Sequence, residues 1–173
     1  NAKELAEKIR TRELKCVDIA KEFLDVIEER KSLNAVIYYD REKVIEEATA
    51  MDREADAGSF RGPLHGVPIM TKDNIHMKGV PNMAATPGLK NFIPEEDAPC
   101  IDRLRKAGCL FLARNNMHEL AFGITSDNRA FGAVRNPLNI EYSAGGSSGG
   151  TGAAVAALMT PIGIGTDTGG SIR

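Results

Sequence analysis

Over roughly the first fifty positions, apolar residues return every three or four places between charged ones. Leu5, Ile9 and Leu14, then Val17, Ile19, Ala20, Phe23, Leu24 and Ile27, keep a helical spacing against faces of Lys, Arg, Glu and Asp. Asn34 to Tyr39 breaks that spacing and reads as a short extended segment. Asp40 then predicts the N-cap of a helix over about Arg41–Ala57, with Val44, Ile45, Ala48 and Met51 inward and Glu42, Glu46 and Glu47 in solvent. These helices read as scaffold, the alternative being a face for a partner helix.

The texture changes at Gly58. Val67-Pro68-Ile69-Met70 is a β-prone run leading to Lys72, followed by turns around Gly79, Pro81 and Pro87-Gly88. Ile101, Leu104 and Arg105 predict a short helix over Asp97–Lys106, and Cys109 to Ala113 a compact buried strand. A further helix is predicted over Met117–Phe122. Gly150-Thr151-Gly152 opens an apolar helix through Ala153–Leu158, and Ile162-Gly163-Ile164-Gly165 is a thin strand feeding Asp167 to Ser171. Helix alternating with strand predicts an α/β domain with at least one sheet face covered. There is no internal repeat or linker, so one domain is expected, with a helical scaffold over 1–57 and a core over 58–173.

Composition narrows the function. The 173 residues suit one domain, and 42% hydrophobic with 27% charged residues is the balance of a soluble globular protein. With 22 basic and 24 acidic residues, a net charge of -2 and no basic stripe, direct nucleic-acid binding is not expected. No apolar run approaches a membrane span. Cys16, Cys100 and Cys109 lack ligand-like spacing and read as free thiols in a reducing compartment, hence a cytoplasmic expectation. His65, His76 and His118 are too scattered for a metal site, so neither metal nor cofactor is expected. The chain opens without Met and without a signal-like apolar stretch, which predicts that a few leading residues are missing or removed.

Two glycine-serine clusters then stand out, Gly145 to Gly150 and Gly169-Gly170-Ser171. Neither has the Lys of a phosphate-binding loop or the spacing of a dinucleotide fingerprint. A Ser hydroxyl is a poor nucleophile until a base takes its proton. No His is placed for that, but a Lys serves if apolar surroundings lower its pKa. Lys72 follows the apolar approach Gly66 to Thr71 and precedes Asp73-Asn74, polar enough to orient an amine. On local sequence alone Lys72 reads more readily as a surface residue.

Residues 66–74, 145–157 and 163–173 resemble the three catalytic segments of the amidase signature family of serine hydrolases. Arg114 to Gly123 and Phe131 to Pro137 are similar to intervening segments, and the helical start fits too, so the resemblance covers essentially the whole chain. It implies an α/β/α fold around a mixed central sheet and a Ser-cis-Ser-Lys triad of Ser171, Ser147 and Lys72, with a cis peptide between Gly146 and Ser147. It implies Ser171 as nucleophile, Ser147 as relay and neutral Lys72 as base. The backbone N–H groups of Thr168, Gly169, Gly170 and Ser171 are then expected to face the oxyanion, with Ser148, Asp167 and Gly146 in supporting positions. Met117, Ala121 and Phe122 are expected to line an acyl pocket, and Arg173 to offer a partner for a substrate carboxylate.

The implied substrate is a small amide. The 116–125 run most resembles the arylacetamide branch, which acts on indoleacetamide or mandelamide. The glutamine-using A subunits of the tRNA-dependent amidotransferases are similar across the same stretch, and a truncated, non-catalytic product is the third reading. The assembly expected is a homodimer, or partner subunits in the amidotransferase reading. Members of the family are two to three times longer, so the 173 residues are expected to be an N-terminal portion of the domain.

Overall fold

The computed structural model describes residues 1–173. The chain opens with α1 (Ala2–Arg10) and α2 (Cys16–Glu29), followed by β1 (Val36–Tyr38) and α3 (Arg41–Asp56). The second part holds β2 (Pro68–Lys72), α4 (Pro99–Lys106), β3 (Leu110–Asn115), α5 (Gly149–Ala156) and β4 (Gly163–Ile164).

Two helix starts have a local side-chain cap. Asn1 caps α1 by accepting the Glu4 N–H at 3.1 Å, and Asp40 caps α3 by accepting that of Lys43 at 3.1 Å. Lys15 gives α2 no cap. Its first donors, the N–H groups of Cys16 and Val17, go instead to the buried carboxylate of Asp52 on α3, at 2.8 and 3.0 Å. A cap reached across the fold ties the two helices in register. Asp52→Ala is therefore expected to destabilise the fold by about 1–2 kcal/mol, read as a lower midpoint in thermal unfolding, with Asp52→Asn intermediate.

The sheet order is β1-β3-β2-β4, with β2 parallel to both β3 and β4 and β1 antiparallel to β3. This is the mixed sheet expected of the family. All five residues of β2 are buried, as a strand covered on both faces must be. One face carries the main core, where Ile9, Ile19, Leu24, Val44, Met51, Met70, Leu112, Ala153 and Ala154 pack together from α1, α2, α3, α5 and the strands. The other holds a small cluster of Ile75, Met77 and Ile101, with Phe111 and Ile164 against it. Cys16 and Cys109 are buried and burial pushes their thiols up to about 12 and about 11, whereas Cys100 is exposed. No helix is long and apolar enough to cross a membrane.

Three sequence expectations shift. The predicted helix over Met117–Phe122 is only a 3-10 turn, Glu119–Ala121, with Leu120 and Ala121 left-handed at φ 53° and 61°. Local helix propensity loses there to a tertiary bond, the Leu120 N–H donating to the Ala84 carbonyl at 2.9 Å. The helix expected from Asp97 begins at Pro99, where a missing N–H costs nothing. Asp97 stays outside it, accepting the Lys78 N–H at 2.7 Å and pairing with Arg105. Arg105, grouped with the apolar face in sequence, is exposed and lies over the Phe111 ring at 5.2 Å.

Candidate active site

Because β2, β3 and β4 run parallel, their C-terminal ends open at one edge of the sheet, where α/β folds gather their chemistry. Lys72 is the last residue of β2, and the register pairing Thr71 with Ile164 brings Thr166, just past β4, beside it. α5 starts at the same edge. Gly150 makes this approach possible: a Cβ there would sit 2.1 Å from the Asn116 carbonyl oxygen and 2.6 Å from that of Ala35.

Lys72 is wholly buried. Its Nζ lies 2.7 Å from Ser147 Oγ, 2.9 Å from Ser148 Oγ and 2.8 Å from Thr166 Oγ1. All of these partners are neutral. Burial pulls the ammonium down to about 8, partly opposed by the negative charge of Asp167. The hydrogen-bond inventory then gives the amine a direction. Ser148 donates its hydroxyl proton to the Thr166 carbonyl at 3.1 Å, so towards Lys72 it acts as an acceptor. Thr166 Oγ1 also accepts from Asn74 Nδ2 at 3.1 Å. A neutral amine has two donors and one lone pair; with the donors spent on Ser148 and Thr166, the lone pair faces Ser147.

Ser147 is wholly buried, joined to Gly146 by a cis peptide bond, and its carbonyl accepts the His118 N–H at 3.1 Å. A Cβ on Gly146 would meet Ser126 Oγ at 2.6 Å, so only glycine fits against that turn. Ser171 joins the group through its backbone, its carbonyl accepting the Ser148 N–H at 3.0 Å. The Ser171 hydroxyl makes no hydrogen bond within the chain, to Ser147 or to any other residue.

The turn before Ser171 is organised by Asp167. Its carboxylate accepts the N–H groups of Gly170 at 2.8 Å and of Ile172 and Arg173 at 3.2 Å, and pairs with the Arg173 guanidinium at 2.9 Å. The Arg173 bonds, then these backbone donors, hold Asp167 well below the usual carboxylate range. Two expectations need correcting. Gly170 is not a free oxyanion donor, because its N–H is taken by Asp167; those of Thr168, Gly169 and Ser171 are unengaged. Arg173 is already paired with Asp167, while its side chain stays 76% exposed.

The three residues expected at an acyl pocket differ widely in exposure. Met117 is wholly buried, Phe122 is 91% exposed and Ala121 lies between. With Leu120 and Ala121 left-handed, the spacing that would align the three on one helical face is gone. Asp73 also departs from expectation. It points away from the amine, its Oδ2 accepting the N–H groups of Met83 and Ala85, both at 3.1 Å. Burial pushes its carboxyl up to about 6 against the pull of those donors and of Arg114. Sequence reasoning missed Thr166, whose place follows only from the pairing of β2 with β4, and Ser126, whose hydroxyl accepts the Gly149 N–H at 3.1 Å.

A family model described as Amidase matches residues 18–173. The chain belongs to the amidase family. It is 44% identical over 172 residues to the A subunit of the glutamyl-tRNA(Gln) amidotransferase of Lachnoclostridium phytofermentans, a match covering 98% of this chain and 35% of that protein. Among solved structures it is similar to an amidase, with 40% identity and a TM-score of 0.94 over all of this chain and 40% of that one. It is also similar to a chain of a structure described as an unexpected vestigial protein complex that reveals the evolutionary origins of an s-triazine catabolic enzyme, with 35% identity and a TM-score of 0.95 over all of this chain and 38% of that one. The chain thus spans about a third of the length of the curated relatives it matches.

Proposed function

We propose that this chain carries the amide-cleaving site of an amidotransferase A subunit, releasing ammonia from glutamine for a partner protein. The observation that carries the chemistry is the buried contact of Lys72 Nζ with Ser147 Oγ at 2.7 Å, with no carboxylate touching the amine. Lys72 takes a proton from Ser147 as Ser147 takes one from Ser171. The Ser171 oxygen forms a bond to the amide carbon, and the carbonyl electron pair moves onto oxygen, towards the N–H groups of Thr168, Gly169 and Ser171. Ser147 and Lys72 return the proton to the amide nitrogen, the carbon–nitrogen bond breaks, and ammonia leaves an acyl group on Ser171. Water, deprotonated by the same relay, cleaves the ester and restores Ser171.

The role of the curated relatives favours glutamine over the arylacetamides as the amide. The vestigial complex of one structural neighbour supports a reading with partner subunits over a solitary enzyme. The test is ammonia release by the full-length protein, alone and with any subunits that co-purify, from glutamine, indoleacetamide and mandelamide. Glutamine turnover that needs the co-purifying subunits is the expected result. Turnover of an arylacetamide by the isolated protein, with none of glutamine, would return the assignment to the arylacetamide branch.

A further inference from the structure

Asp73 and Arg114 lie next to the reacting groups and take no part in the proton relay. Both are fully enclosed, Asp73 at 0% and Arg114 at 1% exposure. Arg114 donates to Thr71 Oγ1 at 2.6 Å and to the Ile75 carbonyl at 2.5 Å, and its Nε stands 3.6 Å from Asp73 Oδ1. That Nε and that Oδ1 have no other partner, so each charge has only the other to offset it on that side.

Asp73 is the hub of a chain of bonds. Besides the two N–H groups on its carboxylate, its carbonyl accepts from Asn82 Nδ2 and from the Ala84 N–H at 3.2 Å. Ala84 and Ala85 are left-handed, at φ 47° and 50°, a conformation that a residue with a Cβ holds only when its surroundings impose it. Their carbonyls pass the constraint onward. That of Ala84 accepts the Leu120 N–H at 2.9 Å, and that of Ala85 accepts from Asn128 Nδ2 at 2.6 Å. The 118–128 loop fixed in this way runs along the catalytic strand turn, bonded to the Ser147 carbonyl through His118 N–H and to Gly149 through Ser126. It carries Leu120, Phe122 and Ile124, which are 52%, 91% and 80% exposed.

We propose that Asp73, held by Arg114, is a positioning residue that seats the 118–128 loop against the Lys72–Ser147 pair through the 82–85 turn. It governs which groups fit beside Ser171 while leaving the proton relay untouched. This rests on the reading of Ser171, Ser147 and Lys72 as the reacting groups.

The test uses two fluorophosphonates on the full-length protein, one with a methyl group and one with a bulky aryl ester. Both report nucleophilic serine, and only the bulky one senses the loop. Asp73→Asn should change the ratio of bulky to small labelling rates by about tenfold, because a small misplacement of a positioning element carries that penalty. The small-probe rate should stay within about threefold of the parent, as expected of a change confined to binding. Asn128→Asp replaces the donor to the Ala85 carbonyl with an acceptor, keeps an oxygen for the Ala130 and Phe131 N–H groups, and leaves the Asp73–Arg114 pair in place. It should move the ratio in the same direction by less, which covers the case of an Asp73 variant that does not fold. An unchanged ratio in the folded variants, or small-probe labelling that falls in step with the bulky probe, would overturn the proposal. Failure of the underlying reading has a different sign, undiminished labelling after Ser171→Ala.

Discussion

Lys72→Met in the full-length protein is expected to lower amide turnover by about 10²–10⁴-fold, the range for loss of a positioned general base. The fold should survive and gain stability, because the substitution removes a charge that burial disfavours and retains the volume of the side chain. The pH profiles separate these effects. As the proposed base, Lys72 acts only as the neutral amine, so turnover should climb about tenfold per pH unit below about 8 and level off above it. Stability runs the same way. Lys72 falls from 10.5 to about 8 on folding, so between those values the unfolded chain holds a proton that the folded chain has released. Stability relative to Lys72→Met is therefore lowest below about 8, where both states are protonated, and rises with pH to its full value near 10.5, a span on the order of 3 kcal/mol. Urea unfolding of both proteins at pH 7 and pH 10 measures it. A difference between them that is the same at both values would mean that the amine is not desolvated as the geometry requires.

Gly150→Ala is expected to be the most damaging single-methyl change in the chain. The added Cβ would stand 2.1 Å from one backbone oxygen and 2.6 Å from another, on β3's exit and on the approach to β1. Backbone cannot rotate away as a side-chain tip does, so α5 has to lift from the sheet. A cost above about 3 kcal/mol follows from overpacking of that severity. Because α5 and Ser148 leave together, fluorophosphonate labelling of Ser171 should fail along with the thermal midpoint. Gly152→Ala, two residues on, meets nothing within 4 Å and is the matched control, expected to fold and label normally.

Much of this architecture was legible in the chain. The spacing of Val44, Ala48 and Met51 gave α3 and its buried face, and Asp40 its cap. The run ending in Lys72 gave β2, and the two glycine-serine clusters gave the turns where Ser147 and Ser171 stand. What stayed hidden depends on pairing between distant segments. The Lys72 environment needs Thr166, which only the β2–β4 register supplies. The 117–122 segment is helical by propensity but turns left-handed at Leu120 and Ala121, because the partner of the Leu120 N–H, the Ala84 carbonyl, is far away in sequence. Asp73 looked like a neighbour of the amine because it is adjacent in sequence. It lies in the turn just past β2, and that turn carries its carboxylate to Arg114 and to the N–H groups of Met83 and Ala85 instead.

The three thiols, finally, make a clock already fitted to the molecule. Cys100 is open to solvent and reports only that reagent is present. Cys16 begins α2 with its thiolate suppressed by burial, and Cys109 leads into β3 in the same condition. Neither is alkylated until its own layer parts. Cys16 and Cys109 stand on opposite sides of the boundary between the N-terminal helices and the sheet. The order in which they react therefore tells whether the helical layer peels off first or the two come apart as one cooperative unit.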